Sequence, residues 1–284
     1  AQLDASFYHA FGSAPPVTFN NAGTFRKSAG AGATRFEGNT VFNNTGTMQI
    51  QTGTFQFEGS STLQGTITIS AGAAVNFFNN THTLQAGATL NSLGTVNVGS
   101  GTFTVEGTLN APTFNLSGGT VNFNATPTLG TLNFSSGSLG GSANFTVPTA
   151  FNWTGGTLFD AATTTIPVGA TLTMSGNSRS LSQRTIDNLG TTVWSGGNVA
   201  TGNGAVFNNL AGALFDAQVD ASFYHGFGST PPVTFNNAGT FRKSAGTGAT
   251  RFEGNTVFNN TGTVEVQTGT LSIDGSFPNF ASST

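Results

Sequence analysis

The chain has 284 residues, of which 8 are Lys or Arg and 11 Asp or Glu, while Gly takes 40 positions, Phe 27 and Cys none. At 7% charged, against about 25% for an ordinary soluble domain, it lacks the clustered basic residues of a nucleic-acid partner. The missing Cys excludes a disulfide framework and a thiolate metal site. No apolar run nears the roughly 18 residues that membrane insertion by a helix needs.

Taken in chain order, the first feature is Asp4-Ala5-Ser6-Phe7-Tyr8-His9, followed by Pro15-Pro16. Tyr8 and His9 are expected on a protruding loop or irregular rung suited to lateral contact. Next comes Phe19-Asn20-Asn21-Ala22-Gly23-Thr24, repeated 23 residues later as Phe42-Asn43-Asn44-Thr45-Gly46-Thr47. Further on, short alternating segments such as Thr66-Ile67-Thr68-Ile69, Thr102-Phe103-Thr104-Val105 and Thr120-Val121-Asn122-Phe123 stand between Gly, Asn and Ser. These are strand signals with turn punctuation. No useful helical period is present, and Thr, Asn, Gly and Phe form helices poorly. Ile186-Asp187-Asn188-Leu189-Gly190-Thr191 is a degenerate copy of the Phe-Asn-Asn motif, and Phe207-Asn208-Asn209 is another occurrence.

At Ala217 the chain begins again. Residues 217–276 match residues 1–60 at 49 of 60 positions. The motifs return as Phe235-Asn236-Asn237 and Phe258-Asn259-Asn260, and the Tyr/His segment as Tyr224-His225. Residues 1–216 are read as one full unit of about ten rungs, and 217–284 as the start of a second copy in one continuous rod with no separate domain. A short period of this kind, with short strands and regular turns, marks a solenoid. The expected fold is all-β: a single-stranded parallel β-solenoid (β-helix) with rungs of about 20–23 residues. Stacking like over like builds Phe ladders from Phe19, Phe42, Phe235 and Phe258. The paired amides Asn20, Asn21, Asn43, Asn44, Asn236, Asn237, Asn259 and Asn260 sit at equivalent turns. There an amide both donates and accepts, so Asn21 over Asn44 and Asn237 over Asn260 are expected to form a buried ladder.

The same alignment places Arg26 over Gln49 and Arg242 over Glu265, the latter an expected ion pair. It also puts Lys27 on the inward position of Ile50. A buried Lys is uncommon, so a strand end or distortion is expected there, with a bulge at Ser28–Ala33. Carboxylates precede Gly at Glu37, Glu58, Glu253 and Asp274. Stacked like charges call for a cation or a raised pKa, which makes these four weak calcium candidates; no metal or cofactor is otherwise expected. Ser, His and Asp within one hexapeptide do not make a triad, whose members converge from separate segments, and no catalytic residue is assigned. Thr-Gly-Thr segments do not build a Thr-x-Thr array suited to ice.

The segments Phe-Asn-Asn-Ala-Gly-Thr-Phe-Arg-Lys-Ser at 19–28, Val-Phe-Asn-Asn-Thr-Gly-Thr-Val-Glu-Val at 257–266 and Trp-Ser-Gly-Gly-Asn at 194–198 resemble β-helical repeats of very large secreted bacterial surface proteins, of the filamentous haemagglutinin and autotransporter-passenger type. The resemblance covers nearly the whole chain, implies display at the cell surface or outside the cell, and carries no catalytic residue over. The expected role is a structural repeat of an extracellular fibre or surface stalk, with the chain itself as partner through end-to-end stacking of rungs. Neither end of the sequence shows a helix, charge cluster or edge Lys that would cap it. The alternative is an adhesin that binds surface glycans through the Tyr/His loops. A polysaccharide-degrading enzyme is disfavoured, since the charges are too sparse for an acid–base groove.

Overall fold

The computed structural model describes residues 1–9, 15–228 and 231–278. The chain divides into two compact units, Ala1–Gly130 with Gly137–Ala143, and Thr131–Ser136 with Asn144–Thr284. The repeat boundary at residue 217 lies inside the second unit. No helix occurs among the described residues, so none is long and apolar enough to cross a membrane.

In the first unit most turns of the chain lay down three short strands, one on each face, while the nine-residue strand Thr108–Leu116 covers two faces at once. Ser6–Tyr8, Val17–Asn21 and Thr24–Lys27 form one rung; Ala33–Glu37, Thr40–Asn44 and Thr47–Ile50 form the next. The pairings are parallel and in register, with Phe7 on Phe36, Phe19 on Phe42 and Phe25 on Met48. Thr54–Phe57, Ser60–Leu63 and Thr66–Ile69 continue the three stacks. The second unit repeats the scheme. Val199–Gly202, Val206–Asn209 and Leu214–Ala217 pair in parallel with Ser222–Phe227, Val233–Asn237 and Thr240–Lys243. Each unit is therefore a parallel β-solenoid.

Rungs vary more than the sequence motif suggests. The offset between paired residues runs from 18, where Thr95 meets Thr113, to 29, where Ser6 meets Arg35. Most strands keep three to five residues while the corners take up insertions. Corners lie outside the hydrogen-bonded ladder, so their length is weakly constrained. The expected bulge at Ser28–Ala33 is such a corner: five residues separate Lys27 from Ala33, against three between Ile50 and Thr54.

Alternation puts every second side chain inside. Phe42, Phe55, Phe103, Phe207, Phe235 and Phe258 are all at most 1% exposed. Burying each such side chain contributes about 1.5–3 kcal/mol. Within a stack the rings lie parallel, as Phe19–Phe42 at 5.2 Å and 13°, and Phe235–Phe258 at 5.2 Å and 5°. Between faces they meet edge to face, as Phe36–Phe42 at 4.8 Å and 80°. Both arrangements suit the ring quadrupole. Phe78 departs from the motif, falling in the corner after Ala74–Phe77. Asn79 and Asn80 then turn the chain with φ of 57° and 23°.

Candidate functional site

The amide ladders are the most regular polar feature. In the second unit Asn188 Nδ2 donates to Asn209 Oδ1 (2.9 Å), Asn209 to Asn237 (2.7 Å) and Asn237 to Asn260 (2.7 Å). Their Nδ2 groups also donate to the carbonyls of Leu214, Thr240 and Thr263. Each amide thus ties a rung to the next and gives the first carbonyl of the following strand a side-chain donor. Asn21 does the same with Asn44 (2.6 Å) and Thr47 O (3.0 Å). The ladder reaches beyond the expected pairs, since Asn188 of the degenerate motif begins the second series. The neighbouring outward amides form a ladder of opposite polarity. Asn43 donates to Asn20, and Asn259 to Asn236, Asn236 to Asn208 and Asn208 to Asp187. Close stacking requires Gly next to these turns: a Cβ on Gly46 would lie 2.2 Å from Gly23 O.

The basic residues are placed differently from the expectation. Lys27 and Lys243 are fully buried. Lys27 ends its strand in regular register with Ile50, and its Nζ donates to Asp4 Oδ1 at 2.8 Å and to Ala29 O at 3.2 Å. Lys243 repeats this with Asp220 at 2.8 Å and Ala245 O at 3.0 Å. A carboxylate arriving from the preceding segment makes the inward lysine tolerable. It is held by the Gly32 amide in one copy and the Gly248 amide in the other. The lysine, with that amide, lowers the pKa of Asp4 and of Asp220. Arg179 and Arg184 are also buried, and burial pushes each guanidinium down to about 10. Arg179 Nη2 donates to Ser175 O, Asn177 O and Gly196 O within 3.0 Å, and its plane lies 5.8 Å from the Trp153 ring. Arg184 donates to Thr164 Oγ1 and Phe159 O. Neither was picked out from the sequence. The signal was the phase of Arg179 with Leu181 in Arg-Ser-Leu-Ser, which points both inward.

Arg242 pairs in register with Glu265, yet its guanidinium turns to Asp216 on the other side, with contacts of 3.1 and 3.0 Å. Asp216 is the better partner because it is 4% exposed and needs the charge. Arg26 does meet Gln49, at 2.7 Å.

The carboxylates proposed for calcium lie beside arginines. Arg35 Nη1 is 3.8 Å from both Glu37 and Glu58, and Arg251 is 3.8 Å from Glu253 and 3.7 Å from Asp274. Each arginine relieves the like-charge stacking that suggested a metal. No group of three or more His, Asp or Glu that could hold an ion is found among the described residues.

The Tyr/His segments belong to an irregular rung of the stack: Ser6–Tyr8 is a strand with His9 just past its end, and in the second copy the pairing shifts register after His225. Tyr8 pairs with Glu37, and Tyr224 lies between Ala200 and Glu253. Tyr8 is 61% exposed, while Phe223 beside Tyr224 is fully buried. The alternation turns Phe7 and Phe223 inward onto Phe36 and Phe252. Phe11, which also belongs to this region, lies outside the described residues. Of the histidines, His82 is fully buried, with Nδ1 3.0 Å from Ser61 Oγ and Nε2 3.1 Å from Phe78 O, and burial lowers its pKa.

Comparison with protein-family models, with curated proteins and with solved structures finds no match to this chain, so the functional reading rests on the fold and the geometry described above.

Proposed function

We propose that the chain is a structural repeat of an extracellular fibre or surface stalk, which assembles by end-to-end stacking of its rungs and has no catalytic role. The observation that carries this reading is the repeat junction. Where the second copy begins, the rung ending at Ala217 stacks on the rung ending at Lys243 with strand pairing on all three faces. The junction leaves Phe223, Phe235 and Phe241 fully buried. It continues the Asn209–Asn237 ladder and adds the Asp216–Arg242 ion pair. The equivalent residues of the first copy, Phe7, Phe19 and Phe25, carry the same groups. Each copy thus starts with a rung whose groups match the last rung of the copy before it, a complementarity that favours end-to-end stacking. A low surface charge adds little repulsion to oppose it.

Sedimentation of the full chain over a concentration series tests this. Association should grow with concentration and fall in Phe25→Lys, which places a charge on the face that a preceding rung would cover. A chain that stays monomeric up to its solubility limit would overturn the proposal.

A further inference from the structure

Four side-chain cations are buried among the described residues, Lys27, Arg179, Arg184 and Lys243. Three of them have a carboxylate to answer their charge. Lys27 pairs with Asp4 and Lys243 with Asp220, and the Asp160 carboxylate acts on Arg184. Arg179 is the exception: it is 1% exposed, yet no carboxylate among the described residues forms an ion pair with it.

The local structure explains how this side chain comes to lie inside. Arg179 opens the strand Arg179–Ser182 and stacks between Gly156 and Val199 of the neighbouring rungs. The corner before it, Ser175-Gly176-Asn177-Ser178, has four residues, against two at Thr154-Gly155 in the rung before. The guanidinium folds back under this longer corner. Its Nη2 donates to Ser175 O at 2.7 Å, to Asn177 O at 3.0 Å and to Gly196 O of the following corner at 2.9 Å.

A guanidinium carries five N–H groups, and Nη2 accounts for two. The other three, one on Nε and two on Nη1, are buried with no hydrogen-bond partner. The Trp153 ring centroid lies 5.8 Å from Cζ, near the limit of about 6 Å for a cation–π contact, so the ring eases the charge without taking these hydrogens. The Trp153 indole N–H is itself buried and unpartnered. Trp194, two rungs on in the same stack, instead gives its indole N–H to Gly197 O at 2.8 Å.

The inventory at this corner is one-sided. It holds donors and a positive charge, and the three carbonyls beside them are already engaged. A water bound there would need acceptors for its own hydrogens. An anion needs none, accepts several charge-assisted bonds and supplies the missing charge. The corners also stack closely: a Cβ on Gly196 would lie 3.0 Å from Gly176 N, and one on Gly176 3.1 Å from Thr154 O. That favours a monatomic ion over a bulkier oxyanion. We infer that this corner holds one halide ion, received by Nε and Nη1 of Arg179 and by the indole N–H of Trp153. The ion plays the part that Asp4 and Asp220 play for the buried lysines. The site lies beyond the structural role proposed above and does not depend on assembly.

Thermal unfolding of the 284-residue chain in sodium gluconate, with gluconate replaced stepwise by chloride at constant ionic strength, tests it. The melting temperature should rise and level off as the site fills, by about 2 °C or more at about 100 mM chloride, and bromide should act alike. Arg179→Met should abolish the rise. Crystals of the parent chain grown in bromide should show an anomalous peak within hydrogen-bonding distance of Arg179 Nη1, and this peak decides if the variant does not fold. A melting temperature unmoved by the exchange, an equal rise in a folded Arg179→Met, or no anomalous peak at this corner would overturn the inference, while leaving the assembly proposal standing.

Discussion

Asn209 shows how one side chain does three tasks in a stacked fold. It accepts from Asn188 and donates both to Asn237 and to Thr240 O. Asn209→Ala leaves those buried groups without partners, so it should cost about 1–3 kcal/mol, read from urea unfolding. The outward, half-buried Asn43→Ala should cost less, because water can replace its bond to Asn20. His82 makes a second residue-scale case. Its unfolded pKa is near 6.5 and burial lowers it in the fold. Below about pH 6.5 the unfolded chain binds a proton that the folded chain refuses, so stability rises with pH and is fully present above that value. The aspartates Asp4, Asp216 and Asp220, whose pKa values are lowered, lose their contribution only at more acid pH, below the usual carboxylate range. Urea unfolding at pH 5 and pH 7 should show a difference for the parent chain that shrinks in His82→Phe. An unchanged difference would assign the pH dependence elsewhere.

At the scale of the element, the strand Thr240–Lys243 is held by its hydrogen-bonded neighbours and by two side-chain anchors, Arg242 to Asp216 and Lys243 to Asp220. Asp216→Ala removes the first. Amide exchange should then quicken in Thr240–Lys243 and remain slow in Thr171–Met174, three rungs from it. Lys243→Met should keep or raise stability, because a buried charge is replaced by an apolar chain of similar length. Asp220→Asn should lower it by leaving that charge buried. The strands were legible in the sequence because alternation and Gly/Asn punctuation are local signals, and the Asn ladder was legible because it repeats. The buried lysine was not: its partner Asp4 lies 23 residues back, and pairing across a rung depends on corner lengths that vary from turn to turn. Of the two placements open for the Tyr/His segment, the irregular rung holds: its polar, aromatic composition suits a loop, but Phe7 and Phe223 set a strand phase that the stack enforces.

For the molecule as a whole, the arithmetic of charge changes meaning. Four of the eight basic residues, Lys27, Arg179, Arg184 and Lys243, are at most 1% exposed, so the surface carries even fewer cations than the composition states. Homotypic stacking puts like groups over like, which suits Asn, Thr and Phe and penalises charge. Sparse surface charge in turn leaves strand edges open to pairing. Electron cryomicroscopy of the concentrated 284-residue chain is the decisive measurement. It should show unbranched filaments with a layer line near 4.8 Å along the axis, the spacing of paired strands, and density continuous from the rung of one chain into the rung of the next. Discrete particles with no axial stacking at any concentration, or filaments joined side by side with end rungs apart, would contradict assembly through the rung edges.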